Sequence, residues 1–588
     1  MKDINIKAIK INTGSSKCYA LCGAAIGFLL FMWIYGIAPL APTNVKFLYD
    51  TVDQDMMSHQ LGFDFYRNDS WGHPIGQTNS YPYPVESSVI NSDSIPVFAI
   101  FFKLLSPVLP SFFQYFGIWI LLCFVLQGLY AALLLKEFKV DFLPAMAAVP
   151  FFICNVPLLT RCFHHCALAG QWIILLAFLL LVRQKRYSVK RLALYWSMLC
   201  GFSVLVHGYL FFMTGFLMTL GCLYRFIREK NIVRELIVFF SSVAAFFICY
   251  YEGGGFSVHT NVLVQGLGVY TFDALDLVNP IFSSFLPQIP VIITTESTIY
   301  LGLGVFVLIV VSVMLMITNK SLLNDKLKAY RFDMIFLIFS AVLCILLSMG
   351  VRGSFASHTV YDLRPYLSEK LAIALSGLRS TARFIWPLWY LGLFFVLVSI
   401  CRFMRNPRLT VLLLLSCFLL QYADIVKESA GGRVRTIQTG YDSILFDNFD
   451  GVFSEDAKHF CEIGAAMIID GAILAAKNNM TYNSSKVGRG PKNNRQIDTD
   501  TFNSGVFRDD TVYVIPDTCL NYLEPVELPE DFRVYYCGGC VVIMDEDLLI
   551  KTPGEDTVEI PKDIYYESIR RTRIEKGEPE PISNYEEI

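Results

Sequence analysis

Charge is scarce in this 588-residue chain, where Asp, Glu, Lys and Arg together make 17% against roughly a quarter of an ordinary soluble protein. The 48 basic and 51 acidic residues nearly cancel, leaving a net charge of −3, so no basic surplus speaks for a nucleic-acid partner. No long repeat recurs along the sequence, which removes the pseudo-symmetry expected of many transporters. No small-residue cleavage site interrupts the apolar stretch that begins at Tyr19. At about 23 residues that stretch outruns a signal-peptide core and is expected to remain as a first membrane span.

Apolar side chains are abundant instead. Hydrophobic residues make 54% of the chain and aromatics 14%, with a mean hydropathy of +0.48. Uncharged runs of roughly 18 to 25 residues suit a bilayer core of about 30 Å and have no role in a soluble core. After the first span, predominantly apolar segments fall at 111–135, 141–158, 166–182, 191–207, 208–226, 235–251, 299–317, 332–350, 384–402 and 408–424, predicting about eleven spans. Residues 94–109 are apolar but short and broken by Pro96 and Pro107, and read as a re-entrant or interfacial helix.

Cytoplasmic loops carry the excess of Lys and Arg. With the N-terminus inside, every inside loop is basic: Lys136 and Lys139; Arg183 to Arg191; Arg225 to Arg234; Lys320 to Arg331; Arg402 to Arg408. The same count puts residues beyond 424 outside. The expected organisation is a transmembrane domain over 1–424, with an outer loop at 43–110, and an extracytoplasmic soluble α/β domain over 425–588. In the latter, the 461–477 run reads as a core helix and 477–510 as a mobile loop. Cys537 and Cys540 in CGGC, with Cys461 and Cys519, suggest one or two structural disulfides in an oxidising compartment.

The outer side collects the ionisable residues that solubility does not explain, and such a gathering beside a bilayer marks a site by default. Asp53 and Asp55 share one face if the chain is extended. They suit a divalent cation such as Mg or Mn, or a general base acting on a hydroxyl, or simply a solvated loop end. His59 lies four residues after Asp55, one helical turn away; Arg67 and Trp71 follow. RCFHH at 161–165 adds Arg161, His164 and His165, a composition better suited to phosphate than to metal. Arg379 and Arg383, four apart at the entry to a span, can project from one helical face and hold a phosphate, or snorkel to the headgroups.

The order of these motifs resembles a known architecture. Asp55-x-x-x-His59-x-x-Gly62 running to Arg67, Trp71-x-x-Pro74-x-Gly76, SDSIP at 92–96 with Lys103, Arg161-x-x-x-His165 followed by ALAGQW, HGYLFFM at 207–213, ESTIYLGLG at 296–304 and RSTARFIWPLWY at 379–390 resemble a bacterial multi-pass family of unknown function. That family is in turn similar to the GT-C superfamily of polytopic glycosyltransferases, which use polyprenyl-phosphate-linked sugars. The likeness spans roughly residues 20 to 424. Phe63 and Gln171 depart from it, standing where tryptophan and a second histidine are usual.

The resemblance implies a GT-C-like glycosyltransferase in a bacterial cytoplasmic membrane, moving a sugar from a polyprenyl-phosphate donor to a glycan or lipid acceptor on the outer face. Asp55 is then the base, helped by Asp53 or Asp93. Arg161, Arg379 and Arg383 hold the donor phosphate, with His165 orienting it. His59, Arg67, His207 and Glu296 complete the implied site. A lipid-linked glycan flippase or transporter and a polysaccharide polymerase are the alternatives.

Overall fold

A helix that is apolar on all sides must be surrounded by lipid or by other helices. The computed structural model describes residues 14–49, 54–257, 266–290, 296, 299–320, 328–356, 358–430, 437–438, 440–464, 468–485 and 495–577. Among the described residues, nine helices are long and apolar enough to cross a membrane: Ser16–Ile34, Phe116–Glu137, Cys166–Arg186, Val189–Val206, Gly208–Glu229, Ile232–Glu252, Arg331–Met349, Thr381–Phe403 and Pro407–Lys427. Each overlaps an expected span. The other two expected spans, 141–158 and 299–317, are the shorter apolar helices Phe142–Ile153 and Leu303–Thr318. Their 12 and 16 residues rise only ~18 and ~24 Å at the α-helical pitch. Cys154 leaves helical geometry and Asn155 caps a new turn at Val156–Leu159, and Gly302, at φ +86°, precedes the second.

The chain divides into two units, one of residues 1–40, 116–247 and 262–435, the other of 41–115, 248–261 and 436–588. In the first unit, the Ser16–Ile34 and Phe116–Glu137 helices meet backbone to backbone. A Cβ on Gly23 would lie 2.4 Å from the Gly128 carbonyl oxygen, and one on Gly27 2.2 Å from that of Phe124, the small-residue spacing that lets membrane helices approach. Arg225, read above as an inside-loop charge, is instead fully buried, its guanidinium 2.6 Å from Glu235.

The short Leu303–Thr318 helix begins without a side-chain cap of its own. Its orphan amides are met from the Pro407–Ser429 helix, where Asp424 Oδ2 accepts from Leu303 N at 2.8 Å and Gln421 Oε1 from Val305 N at 3.1 Å. Asp424 Oδ2 also accepts from the Tyr300 hydroxyl at 3.1 Å. These bonds satisfy N–H groups that every helix start leaves open.

The second unit contains a six-stranded mixed sheet. Across it run Val558–Glu559, Phe532–Cys537, Cys540–Asp545, Thr511–Pro516, His459–Glu462 and Thr481–Tyr482. The last three are mutually parallel and the other pairings antiparallel. Ile463, Phe502, Ile515, Phe532, Val534, Ile543 and Ile569 bury its core. A sheet-containing C-terminal region is therefore present, with differences in detail. Cys461 and Glu462 end a strand, and the helix of that run is confined to Ile469–Lys477. Within the expected loop 477–510, Arg495–Asn503 is helical, while 486–494 lie outside the described residues.

The anticipated disulfides are not formed: all 16 cysteines are free thiols. Cys537 and Cys540 face each other across a hairpin whose two turn glycines, Gly538 and Gly539, have φ of +57° and +78°, the conformation a two-residue turn of this hand requires. The Cys537 thiol points to the Ile444 carbonyl at 3.6 Å. The apolar 94–109 stretch forms the Pro96–Leu104 helix and a single turn at Ser106–Val108.

Candidate functional site

In the first unit, three expected anion-binding residues come together around a carboxylate of the chain itself. Arg161 follows the Val156–Leu159 turn, whose start is pinned by the Asn155 side chain accepting from Leu158 N. His165 precedes the short helix Cys166–Ala169. Arg383 lies in the tight turn Thr381–Ile385 that leads into the Trp386–Phe403 helix. All three reach Glu296. Arg383 donates from Nε at 2.8 Å and from NH2 at 2.5 Å to Oε2. Arg161 NH2 lies 3.2 Å from the same oxygen and donates to the Glu296 carbonyl at 3.3 Å. His165 Nε2 is 3.6 Å from Oε1.

The charged side chains are almost withdrawn from solvent, Arg161 and Arg383 being 6% exposed and Glu296 12%. Burial pushes the Glu296 carboxyl up, yet Arg383, Arg161 and then His165 more than offset it and hold the group well below the ordinary carboxylate range. Two guanidiniums and an imidazole thus converge on this one carboxylate. Aromatic faces frame the pair, with Arg383 4.7 Å from the Tyr209 ring centroid and Arg161 5.9 Å from that of Trp386. Such faces attract cations.

Arg379 and Arg383 do not share a helical face. Arg379 precedes the turn, and its guanidinium sits 5.9 Å from the Tyr270 ring centroid. His207 proves to be a helix cap, its Nδ1 accepting from Tyr209 N at 3.1 Å. That cap sets the start of the Gly208–Glu229 helix and hence Tyr209, whose hydroxyl accepts from Ser380 N at 2.8 Å. Tyr209 and Trp386 escaped the sequence reading, though both stand inside motifs it singled out. Gln171 is structural, bonded to the Pro157 carbonyl at 2.8 Å and the Tyr390 hydroxyl at 2.6 Å.

In the second unit, Asp55 opens the Gln54–Asn68 helix and His59 follows one turn later, as the spacing predicts. Asp55 is half-buried and His59 buried. His59 Nδ1 lies 2.9 Å from the Ser92 carbonyl, while its own carbonyl accepts from Ser94 Oγ at 2.7 Å. The SDSIP turn is thus clamped to the helix, and Asp93 and Ile95 adopt φ of +51° and +52°. The approach requires Gly62, because a Cβ there would lie 2.3 Å from Ser92 Cβ. Arg67 has a scaffolding part, donating to the Pro110 and Ser111 carbonyls at 3.1 and 3.3 Å.

Asp53 lies outside the described residues. Among the described residues no three His, Cys, Asp or Glu side chains gather as a metal site would need.

A carboxylate of this unit to which the sequence reading gave no role, Asp64, is buried. Asp64 accepts from Gln60 Nε2 at 3.0 Å and from the Tyr49 hydroxyl. Burial raises its carboxyl above the ordinary value, only partly offset by Lys477 and then by Tyr49 and Gln60. Lys477 Nζ donates to the Ser111 carbonyl and stands 3.7 Å from the Phe112 ring centroid. Burial brings that amine down to about 8.

Nine apolar helices long enough to span among the described residues, a cluster of arginines withdrawn from solvent and a sheet-containing C-terminal region define a largely helical membrane protein with a mixed-sheet region. The chain belongs to the family described as a domain of unknown function (DUF6311), which matches residues 24–426, and residues 452–545 match the DUF6311 C-terminal domain. Neither a curated protein nor a solved structure matches it.

Proposed function

We propose that the protein is a GT-C-type membrane glycosyltransferase, taking a sugar from a polyprenyl-phosphate donor and passing it to a glycan or lipid acceptor at the outer face of a bacterial cytoplasmic membrane. One observation carries the reading: Arg161 and Arg383, withdrawn from solvent, converge on Glu296, so that two guanidiniums from distant parts of the chain are held fixed in one place. When the glycosidic bond to the donor breaks, negative charge develops on the departing phosphate. Fixed cations stabilise that charge without having to reorganise. Glu296 is the positioning residue that keeps both guanidiniums in place, and His165 shares that carboxylate. Arg161 and Arg383 are the groups that meet the phosphate.

Transfer also needs a base to take the proton of the acceptor hydroxyl as its oxygen attacks the sugar. Asp55 is assigned that role within its own unit, as a half-buried carboxylate in the first turn of a helix. The outer orientation rests on the basic loops.

The test uses full-length protein in nanodiscs with a radiolabelled polyprenyl-phosphate sugar and a membrane glycan extract. Asp55→Asn should reduce transfer by ~10² to 10⁴-fold while donor binding survives. Arg383→Lys, which keeps charge but loses the fork, should weaken donor binding. Wild-type protein that moves lipid-linked glycan across the bilayer without forming a glycosidic bond would overturn the proposal in favour of a flippase.

A further inference from the structure

The second unit has a small polar cavity lined by none of the residues assigned to the transfer step. Its volume is about 130 Å³, and Tyr83, His459, Thr481, Asn483, Asp498 and Arg508 line it. Strand geometry explains the gathering. His459–Glu462 and Thr481–Tyr482 are parallel neighbours with His459 opposite Thr481, so period-two alternation points His459, Cys461, Thr481 and Asn483 to one side. The Arg495–Asn503 helix brings Asp498 to them, and its carboxylate accepts from Asn483 Nδ2 at 2.7 Å.

The groups are held, not loose. Asn483 is 4% exposed, accepts from Glu462 N at 2.9 Å and donates to the Glu462 carbonyl at 2.9 Å. His459 Nδ1 lies 2.7 Å from Thr481 Oγ1, and its Nε2 3.6 Å from Asp510. The Tyr83 ring stacks on the imidazole, centroids 4.5 Å apart and planes 26° from parallel, giving the cavity a flat wall. Burial and then Arg508 lower the His459 pKa against the pull of Asp510, so at neutral pH the imidazole is a hydrogen-bonding group without charge.

This set selects a ligand by elimination. Among the described residues, one arginine is opposed by Asp498 and Asp510, a balance that disfavours a phosphate. The cavity lies well below the roughly 300 Å³ of sites that enclose a drug-sized ligand, so it takes the edge of one small unit. A carboxylate, an amide, a guanidinium and hydroxyls around a flat wall match adjacent hydroxyl groups, each both donor and acceptor, on a ring with apolar C–H faces.

We propose that this cavity is a saccharide subsite, holding one pyranose unit of the acceptor glycan by its vicinal hydroxyls. The inference rests on the glycosyltransferase reading. Asp498 and the remaining lone pair of Asn483 Oδ1 accept from one hydroxyl pair, Arg508 donates to a ring substituent, and the Tyr83–His459 wall meets the C–H face.

Saturation-transfer NMR on full-length protein in nanodiscs tests it with the methyl glycosides of glucose, galactose, mannose and N-acetylglucosamine as probes. At least one should receive saturation, and Asp498→Asn and Arg508→Ala should each weaken its binding about tenfold or more, the loss of one hydrogen bond to a charged group. Arg508 is exposed and the Asn replacement is isosteric, so both variants are expected to fold, which unchanged thermal unfolding verifies. No saturation of any glycoside, or saturation indifferent to both variants, overturns the subsite. Glycoside binding that responds to the variants in a protein unable to transfer sugar sustains the subsite and overturns the transferase reading.

Discussion

Two buried carboxylates, one in each unit, meet the same physical demand in opposite ways. Removing a carboxylate from water is costly unless it is paired with opposite charge or hydrogen-bonded. Glu296 is answered by two guanidiniums and an imidazole and is held well below the ordinary carboxylate range. Asp64 is answered by a phenol and an amide, and burial leaves it raised despite Lys477. Neutral donors suffice to settle a polar atom in a scaffold. An arrangement that gathers buried cations onto one acid stores oriented charge, and oriented charge is what a charge-developing reaction requires.

The sharpest way to break this contrast is Glu296→Gln. It removes the carboxylate that Arg161 and Arg383 share and should cost about 3 to 5 kcal/mol of stability, as when one partner of a buried pair is lost. Denaturant titration in detergent measures it, and a loss under about 1 kcal/mol would reduce the cluster to a pair like any on the surface. Because the folded-state value of Glu296 is depressed, its contribution is complete above the ordinary 4.5 and disappears as pH falls through the lower folded value. The wild-type advantage over the Gln variant should therefore shrink on strong acidification.

A smaller effect is expected from Gly62→Ala on the helix that carries Asp64. The new methyl collides with Ser92 and should cost about 1 to 3 kcal/mol, whereas Gly72→Ala, with nothing within 4 Å, makes the control. Equal midpoints for the two variants would show that the SDSIP clamp gives way freely.

Asp64→Asn should have the least effect, about 0.5 to 1.5 kcal/mol for an exchanged hydrogen bond. Its pH dependence runs opposite to that of Glu296. A raised folded-state value means that the wild type is favoured below the ordinary 3.8 and loses ground as pH rises through the folded value. A wild type that instead gained on the Asn variant over that interval would place Asp64 with Glu296 and dissolve the distinction.

Periodicity and loop charge made the nine long apolar helices among the described residues legible, because a span announces itself within its own residues. The two short helices misled for the same reason: flanking apolar residues at Cys154 and Ile299 extend the hydrophobic run but not the hydrogen-bonded one. Arg161, His165 and Arg383 were visible as unusual charges, and Glu296 stood in a noted motif. Their convergence was not visible, since Arg161 and Arg383 are separated from Glu296 by 135 and 87 positions. Asp64 and Lys477 were hidden for a different reason. A polar residue on a helix reads as solvated until tertiary packing buries it, whereas His207 and Arg67, expected in the site, make backbone bonds that turn them into cap and brace.

The clamp on the Leu303–Thr318 helix has a consequence in time. The amide of Leu303 is satisfied by Asp424, 121 positions later in the chain. At ribosomal rates of about 5 to 20 residues per second, that partner is made roughly 6 to 24 s after the helix start it secures. During that interval the short helix has emerged with its first turn unanswered, so its final boundary is written by the last long apolar helix to be synthesised.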